Sequence, residues 1–511
     1  RQMCIRDRGM VVDDGQELSL NYLGKFTKTE TSSSDGMLFP DGKYYKVQYG
    51  TYIASSRAVG EYLRYSILKN AGTTSITNSY FEQNAIEDTY FVETGGVILN
   101  SGGNLTVSDS LFSNNGVLST NGYVRGGVFA NVNGTLNIKN TIFSSNGVKS
   151  DSSSAEGGVV YNTTGGILNI DNSVFYKNYA SSSTSSSSAL AAGVIYITDG
   201  QMRITNSVFD SNYSRGYNVR GQAIYSDSAL EQEIINTVFA SNGITSGRST
   251  YGSGGAIYVN SNNFSITGST FMQNILTTSL SGAGGAMFTN GNISIVDSVF
   301  DSNRIESSSV AEGGAISNNG VLQIKGSEFI NNTISAYDNG YGGAIRNNGT
   351  LIIDDTLFSG NLVSSTKAST GVIYGGAIYA GNDSVTIATD SQFVNNAAAG
   401  KDNSLGGAYY GKNGSKLTLV AKDKDVLFDG NYYATSTASS ATKYSNGIYL
   451  AEKTQLNLNA GEHNIIFNDS IQAATTAVIN INAAGTWDDA ANPTAPDGLS
   501  LIHISEPTRP Y

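Results

Sequence analysis

The chain has 511 residues, 14% charged and 39% hydrophobic, with a net charge of −12, 59 glycines, five prolines and one cysteine. An acidic chain with few basic clusters argues against nucleic acid and anionic membrane surfaces as partners. A single cysteine excludes a disulfide framework, and abundant Gly, Ser, Thr and Asn without apolar residues at i, i+3, i+4 and i+7 exclude a mainly helical fold.

Residues 1–8, "RQMCIRDR", and residues 500–511, "SLIHISEPTRPY", differ in character from everything between them. Both resemble translated sequencing-adapter read-through, so they are set apart from fold reasoning, and the expectation is a fragment of about residues 9–499. Without them Cys4 and His503 disappear, and 26 basic against 40 acidic residues leave a charge of −14. A cysteine-free chain suits a route through a periplasm to a cell surface without disulfides, and equally a cytosolic protein. Residues 9–70 read as irregular, with a polar loop "TKTETSSSDG" and a tyrosine-rich stretch, "GKYYKVQYGTYIASS", expected as an early degenerate coil.

Residues 71–431 repeat. Phe-x-x-Asn recurs twelve times, from Phe81, Phe112, Phe143, Phe175, Phe209, Phe239, Phe271, Phe300, Phe329, Phe358, Phe393 and Phe428, at spacings of 29 to 35 residues. In nine copies a Gly-Gly lies 16 to 22 residues upstream, as at Gly254, Gly284, Gly313 and Gly342. A fixed period of this kind marks a stacked architecture. In the best copies apolar residues with polar neighbours stand seven and five residues before the Phe, such as Leu322 and Ile324, which is the alternation of a strand with one buried face. A Ser or Thr two residues before the Phe forms a second inward pair with it, after a one-residue break in phase where a bend is expected. Residues 41–492 hold no proline, as suits strands that pair on both sides.

These features predict an all-β parallel β-helix with one repeat per coil. Fully burying a Leu, an Ile and a Phe yields on the order of 1.5–3 kcal/mol each, and ordering a thirty-residue coil costs roughly 1–2 kcal/mol per residue. A lone coil therefore does not fold, and stacking supplies the rest through shared hydrogen bonds and a continuous core. The expected ladder comprises Phe271, Asn274, Phe300, Asn303, Phe329, Asn332, Phe358 and Asn361. In it Phe fills the core, Asn turns the chain and bonds to the Asn of the next coil, and Gly254, Gly284, Gly313 and Gly342 admit a tight bend or close backbone approach. Length varies mostly in Ser-rich tracts such as "YASSSTSSSSALAA", which predicts loops on one edge. Residues 432–499 lose the motif but keep short alternating strands, "TQLNLNA", "HNIIFND" and "AVININAA", expected as further coils.

Chemistry is sparse. Parallel β-helices include polysaccharide lyases and hydrolases, whose sites need grouped carboxylates. Asp354–Asp355 falls at a bend and reads as turn chemistry. Asp423, Asp425 and Asp429 lack calcium-loop spacing, and His463 has no catalytic companions. No nucleophile elbow, phosphate loop or zinc spacing is present, so the sequence assigns no catalytic residue, metal ligand or cofactor. Tyrosines following the Gly motif, Tyr161, Tyr196, Tyr225, Tyr258, Tyr379 and Tyr410, form either an outward aromatic strip able to hold sugar rings or a protein, or an inward second ladder.

The pairing of Gly-Gly-Ala-Ile with Phe-x-x-Asn, as in "GGAI…FINN" from Gly313 and "GGAI…FSGN" from Gly342, resembles the chlamydial polymorphic outer-membrane proteins. That resemblance implies an autotransporter passenger: a right-handed β-helix exported through a C-terminal outer-membrane β-barrel not contained in this chain. It implies display on, or secretion from, a Gram-negative cell, and an adhesin or structural stalk with a host-cell, glycan or protein partner. A carbohydrate-active β-helix enzyme is the alternative from another class.

Overall fold

The computed structural model describes residues 10–21, 26–31, 36–49, 66–88, 95–243, 249–365, 371–401, 403–438, 440–481, 486–488 and 503–505. Residues 1–265 and 266–511 form two compact units. Each is all-β, with no helix among the described residues and with parallel strands stacked coil upon coil as a β-solenoid.

One coil of the second unit shows why the sequence folds this way. Ile345–Asn347 and Thr350–Asp354 form one face, Leu357–Ser359 the next, and Leu362–Ser365 and Val372–Tyr374 the third. Each pairs in register with its counterpart one repeat away, Leu322 with Leu351, Ile324 with Ile353 and Phe329 with Phe358. All six side chains are essentially buried. The expected break in phase is a single residue in the left-handed region, at Asp355 here and at Asn140 and Asp297 elsewhere (φ 48°, 48° and 49°). Asn and Asp tolerate that conformation better than other residues with a Cβ, and it resets the alternation so that Ser/Thr and Phe point inward together.

The phenylalanines stack along each unit. From Phe81 to Phe239 neighbouring ring centroids lie 4.5–5.2 Å apart. From Phe271 through Phe300, Phe329 and Phe358 to Phe428 the spacing is 4.6–5.0 Å, with planes within 9°. Phe467, in the motif-poor tail, adds a further rung at 5.2 Å from Phe428. The strands Ile448–Leu450, Gln455–Ala460, Ile465–Phe467, Ile471–Ala473 and Val478–Ile481 continue the parallel stack, as expected of further coils.

Beside the Phe column runs the asparagine column. Asn332 Nδ2 donates to Asn361 Oδ1 (3.0 Å) and to the carbonyl of Phe300 (2.8 Å), and its Oδ1 accepts from Asn303 Nδ2 and the Asn303 backbone N–H (3.0 and 3.1 Å). Asn274 makes the same bonds to Asn303. One expectation needs correcting: the asparagine does not itself turn the chain. The residue before it does, with φ near 55° at Gln273, Ser302 and Asn331. That turn aims the Asn side chain into the coil, where its amide bridges successive coils.

The two motif glycines have separate tasks. Gly254, Gly284, Gly313 and Gly342 adopt φ of 70–73°, a conformation that penalises a Cβ. The second glycine lies beneath the next coil, and a Cβ on Gly314 or Gly343 would collide with the carbonyl oxygen of Gly343 or Gly376.

The N-terminal stretch departs from expectation. Met10–Val12 and Glu17–Asn21 are already coil strands, paired parallel with Leu68–Asn70 and Thr73–Thr77. Phe26–Glu30, Met37–Leu38 and Tyr44–Tyr49 form a three-stranded antiparallel sheet, so the Tyr44–Tyr49 part of the tyrosine-rich stretch is not a coil. The rest of that stretch, from residue 50 on, lies outside the described residues. This flap lays Met37, Phe39 and Tyr45 on the outer residues of the Phe-bearing strands, Leu111, Ile142 and Val174. Those apolar residues alternate with the inward phenylalanines and would otherwise face water, so the flap buries what the repeat leaves exposed.

Candidate functional site: a tyrosine-lined groove

At each left-handed glycine the chain turns sharply. The residue before the Gly pair is thereby brought against the outward side chain four residues after the first Gly, and the two form facing walls of a groove. In the first unit Phe129 packs edge-on against Phe112 and Phe143, so its row, continued by Val160 and Ile195, faces inward. The next row, Ala130, Tyr161, Tyr196, Tyr225 and Tyr258, therefore faces outward.

Outward does not mean open. Tyr161, Tyr196 and Tyr225 are 5–7% exposed, covered by Leu190 and Ala192 and by one another. Successive ring centroids lie 5.8, 4.5 and 5.0 Å apart with planes within 20°. A sugar ring that stacks on an aromatic needs a free face, and in this column the faces are taken by neighbouring tyrosines. Both sequence alternatives thus hold in part: the tyrosines leave the coil, yet pack as a second ladder. Burial raises the phenol of Tyr225 to about 12 and pushes that of Tyr196 further up, aided by the nearby Glu156 carboxylate. The hydroxyls stay neutral and act as hydrogen-bonding groups, not as bases.

Charges line the same groove. Arg125 lies over the rings of Tyr123 and Tyr161, 4.5 and 4.9 Å from their centroids, and its Nε donates to Glu156 Oε2 at 2.7 Å. Arg220 lies over Tyr258 at 5.1 Å.

In the second unit the outward row reads Phe288, Ser317, Arg346, Tyr379, Tyr410 and Tyr449. Tyr379, Tyr410 and Tyr449 stack at 5.6 and 5.2 Å, and Tyr374 from the facing wall stacks on Tyr410 at 4.0 Å. Beyond Tyr379 the aromatic column stops. There Glu312, Tyr341, Arg346, Asn348, Tyr379, Gly381, Asn382 and Lys412 line a pocket of about 370 Å³. Tyr341 is tilted 46° to Tyr379 and 53° to Tyr374. Arg346 Nη1 donates to Asn319 Oδ1 at 2.5 Å, and Nη2 lies 3.5 Å from Glu312 Oε2.

Asp354, Asp355 and Asp423, singled out in the sequence, lie close together but interleaved with Lys325, Lys422 and Lys424. Asp354 pairs with Lys325 at 2.9 Å, whereas Asp355 pairs with Lys424 at 2.6 Å. Asp423 pairs with Lys422, Asp425 with His463 Nδ1 at 3.7 Å, and Asp429 accepts from Asn468 Nδ2. Among the described residues no three His, Cys, Asp or Glu side chains are grouped to hold a metal.

Sequence reasoning missed a second asparagine column, carried by the strands Ile98–Ser101 and Phe129–Val132 and their counterparts. Asn70, Asn100, Asn131 and Asn162, all fully buried, pass an Nδ2–Oδ1 bond of 2.7 Å from coil to coil. Asn318 and Asn347 repeat it in the second unit at 2.8 Å. The signal was an Asn five residues after the first motif glycine, as at Gly126 and Asn131. Comparison of the chain with protein-family models, with curated proteins and with solved structures finds no match.

Proposed function

We propose that the chain is a non-catalytic passenger displayed on the surface of a Gram-negative cell, a stalk that also serves as an adhesin. In this reading a β-barrel outside the chain anchors it in the outer membrane. The observation that carries the proposal is where the repeat's polar residues are used. The Phe-x-x-Asn amides, the Ser/Thr hydroxyls and the second asparagine column are buried and bonded between coils, so the repeat serves rigid extension of a stack. Contact with other molecules then falls to outward-facing residues, among them the groove with its tyrosine edges and charged residues and the Ser-rich loops. The pairing of Asp354, Asp355 and Asp423 with Lys325, Lys424 and Lys422 leaves no uncommitted carboxylate pair there and favours binding over acid–base chemistry.

The test is adhesion of the purified chain to epithelial cells, with release of reducing sugar from polysaccharides measured in parallel. Saturable binding without sugar release supports the proposal. Turnover of a polysaccharide, or absence of cell binding at micromolar concentration, overturns it.

A further inference from the structure

The pocket at Arg346 exists because the tyrosine ladder is interrupted. Ser317 and Arg346 occupy the two rungs that would continue the column beyond Tyr379. Arg346 lines the pocket in place of a ring, and Tyr341, tilted 46° to Tyr379, lines it without stacking flat on its neighbour. Elsewhere in the groove the rings cover one another, so this is where a planar apolar face and hydrogen-bonding groups meet in one cavity. Its lining offers the phenols of Tyr341 and Tyr379, the amides of Asn348 and Asn382, the Glu312 carboxylate, the Arg346 guanidinium and the exposed Lys412 ammonium.

We propose that this pocket binds a carboxylate-bearing sugar. Phenols, amides and Glu312 suit ring hydroxyls, and the tilted Tyr341 suits the C–H face of a pyranose. A neutral sugar leaves the charge unexplained: two cations stand against one carboxylate, on a chain whose net charge is −12. Arg346 is held by Asn319, Glu312 and the Asn348 amide oxygen, which leaves Lys412 at the rim as the group that takes the sugar carboxylate. The proposal deepens the adhesive reading by naming a ligand class for one site.

Saturation-transfer NMR and titration calorimetry of the whole chain with N-acetylneuraminic acid, glucuronic acid, galactose and acetate test it. Either acidic sugar is expected to bind at millimolar concentration or below, with galactose and acetate at least tenfold weaker. Binding of N-acetylneuraminic acid alone identifies a terminal sialylated glycan, and binding of glucuronic acid alone a uronate chain. Lys412→Glu, at an exposed position, is expected to weaken the acidic sugar at least tenfold with an unchanged circular dichroism spectrum and melting temperature. Tyr341→Ala weakens it through loss of the ring face. Equal affinity for galactose, no binding of either acid, or unaltered affinity in Lys412→Glu overturns the proposal. Cell adhesion is scored separately. Sugar binding without adhesion leaves the pocket standing and removes the adhesive role, and adhesion without sugar binding does the reverse.

Discussion

Asn332→Ala offers the sharpest test of the ladder. The amide is fully buried and makes four bonds, two donated and two accepted. Truncation leaves the Asn303 backbone N–H and one Asn303 Nδ2 hydrogen without an acceptor, and takes a donor from the Phe300 carbonyl. Asn361 Oδ1 keeps its bond from the backbone N–H of residue 332. Three buried groups at about 1–3 kcal/mol each put the cost at roughly 3–6 kcal/mol after partial relaxation. Because a solenoid opens between neighbouring coils, hydrogen exchange read by mass spectrometry is the assay. Amides between residues 299 and 365 should lose protection by that amount, and distant coils by much less. Ser335→Ala, an exposed change in the same coil, should stay within about 0.5 kcal/mol. A loss from Asn332→Ala no greater than that of Ser335→Ala refutes the claim that the amide column holds the coils together.

Three more outcomes are expected. Gly314→Ala should destabilise by about 3 kcal/mol, because its Cβ meets the backbone of Gly343; Gly15→Ala, at a left-handed residue (φ 76°) with open space around it, should cost only about 1 kcal/mol, and equal urea midpoints would refute the distinction. Asp469 replaces the Asn of the column and accepts from the Asn431 N–H and Nδ2 at 2.9 and 2.7 Å, and burial raises its pKa. A carboxyl whose folded pKa is raised contributes stability below its unfolded value near 3.9 and loses it as pH rises through the folded value. The melting temperature of Asp469→Asn should therefore gain on that of the parent chain from pH 4 to pH 7, and a gain in the opposite direction refutes the assignment. Phe39→Ala should release the flap, lowering exchange protection of residues 37–49 by about 3 kcal/mol while the strands carrying Leu111, Ile142 and Val174 stay protected; unchanged protection of the flap would show that Phe39 does not hold it.

The stacked parallel fold, its period and its inward rows were written in the sequence, because each coil repeats the same physical problem. Leu322, Ile324, Ser327 and Phe329 must all enter one core, and only two phases of alternation joined by a bend allow that. The motif glycines were legible for the same reason, since a positive φ at Gly313 and a carbonyl against Gly314 both penalise a Cβ. The flap was not legible: its strands pair antiparallel and locally, and the residues it covers, Leu111, Ile142 and Val174, lie on the outer face of another segment. The covering of the tyrosines was decided by the tertiary structure alone. A tyrosine four residues after a glycine alternates outward in any strand, but only the turn at that glycine folds Arg125, Glu312, Tyr341 and Tyr374 over it from the facing wall. The Arg346 pocket follows likewise from several neighbouring coils, where an arginine interrupts a column that single-repeat reasoning sees one rung at a time.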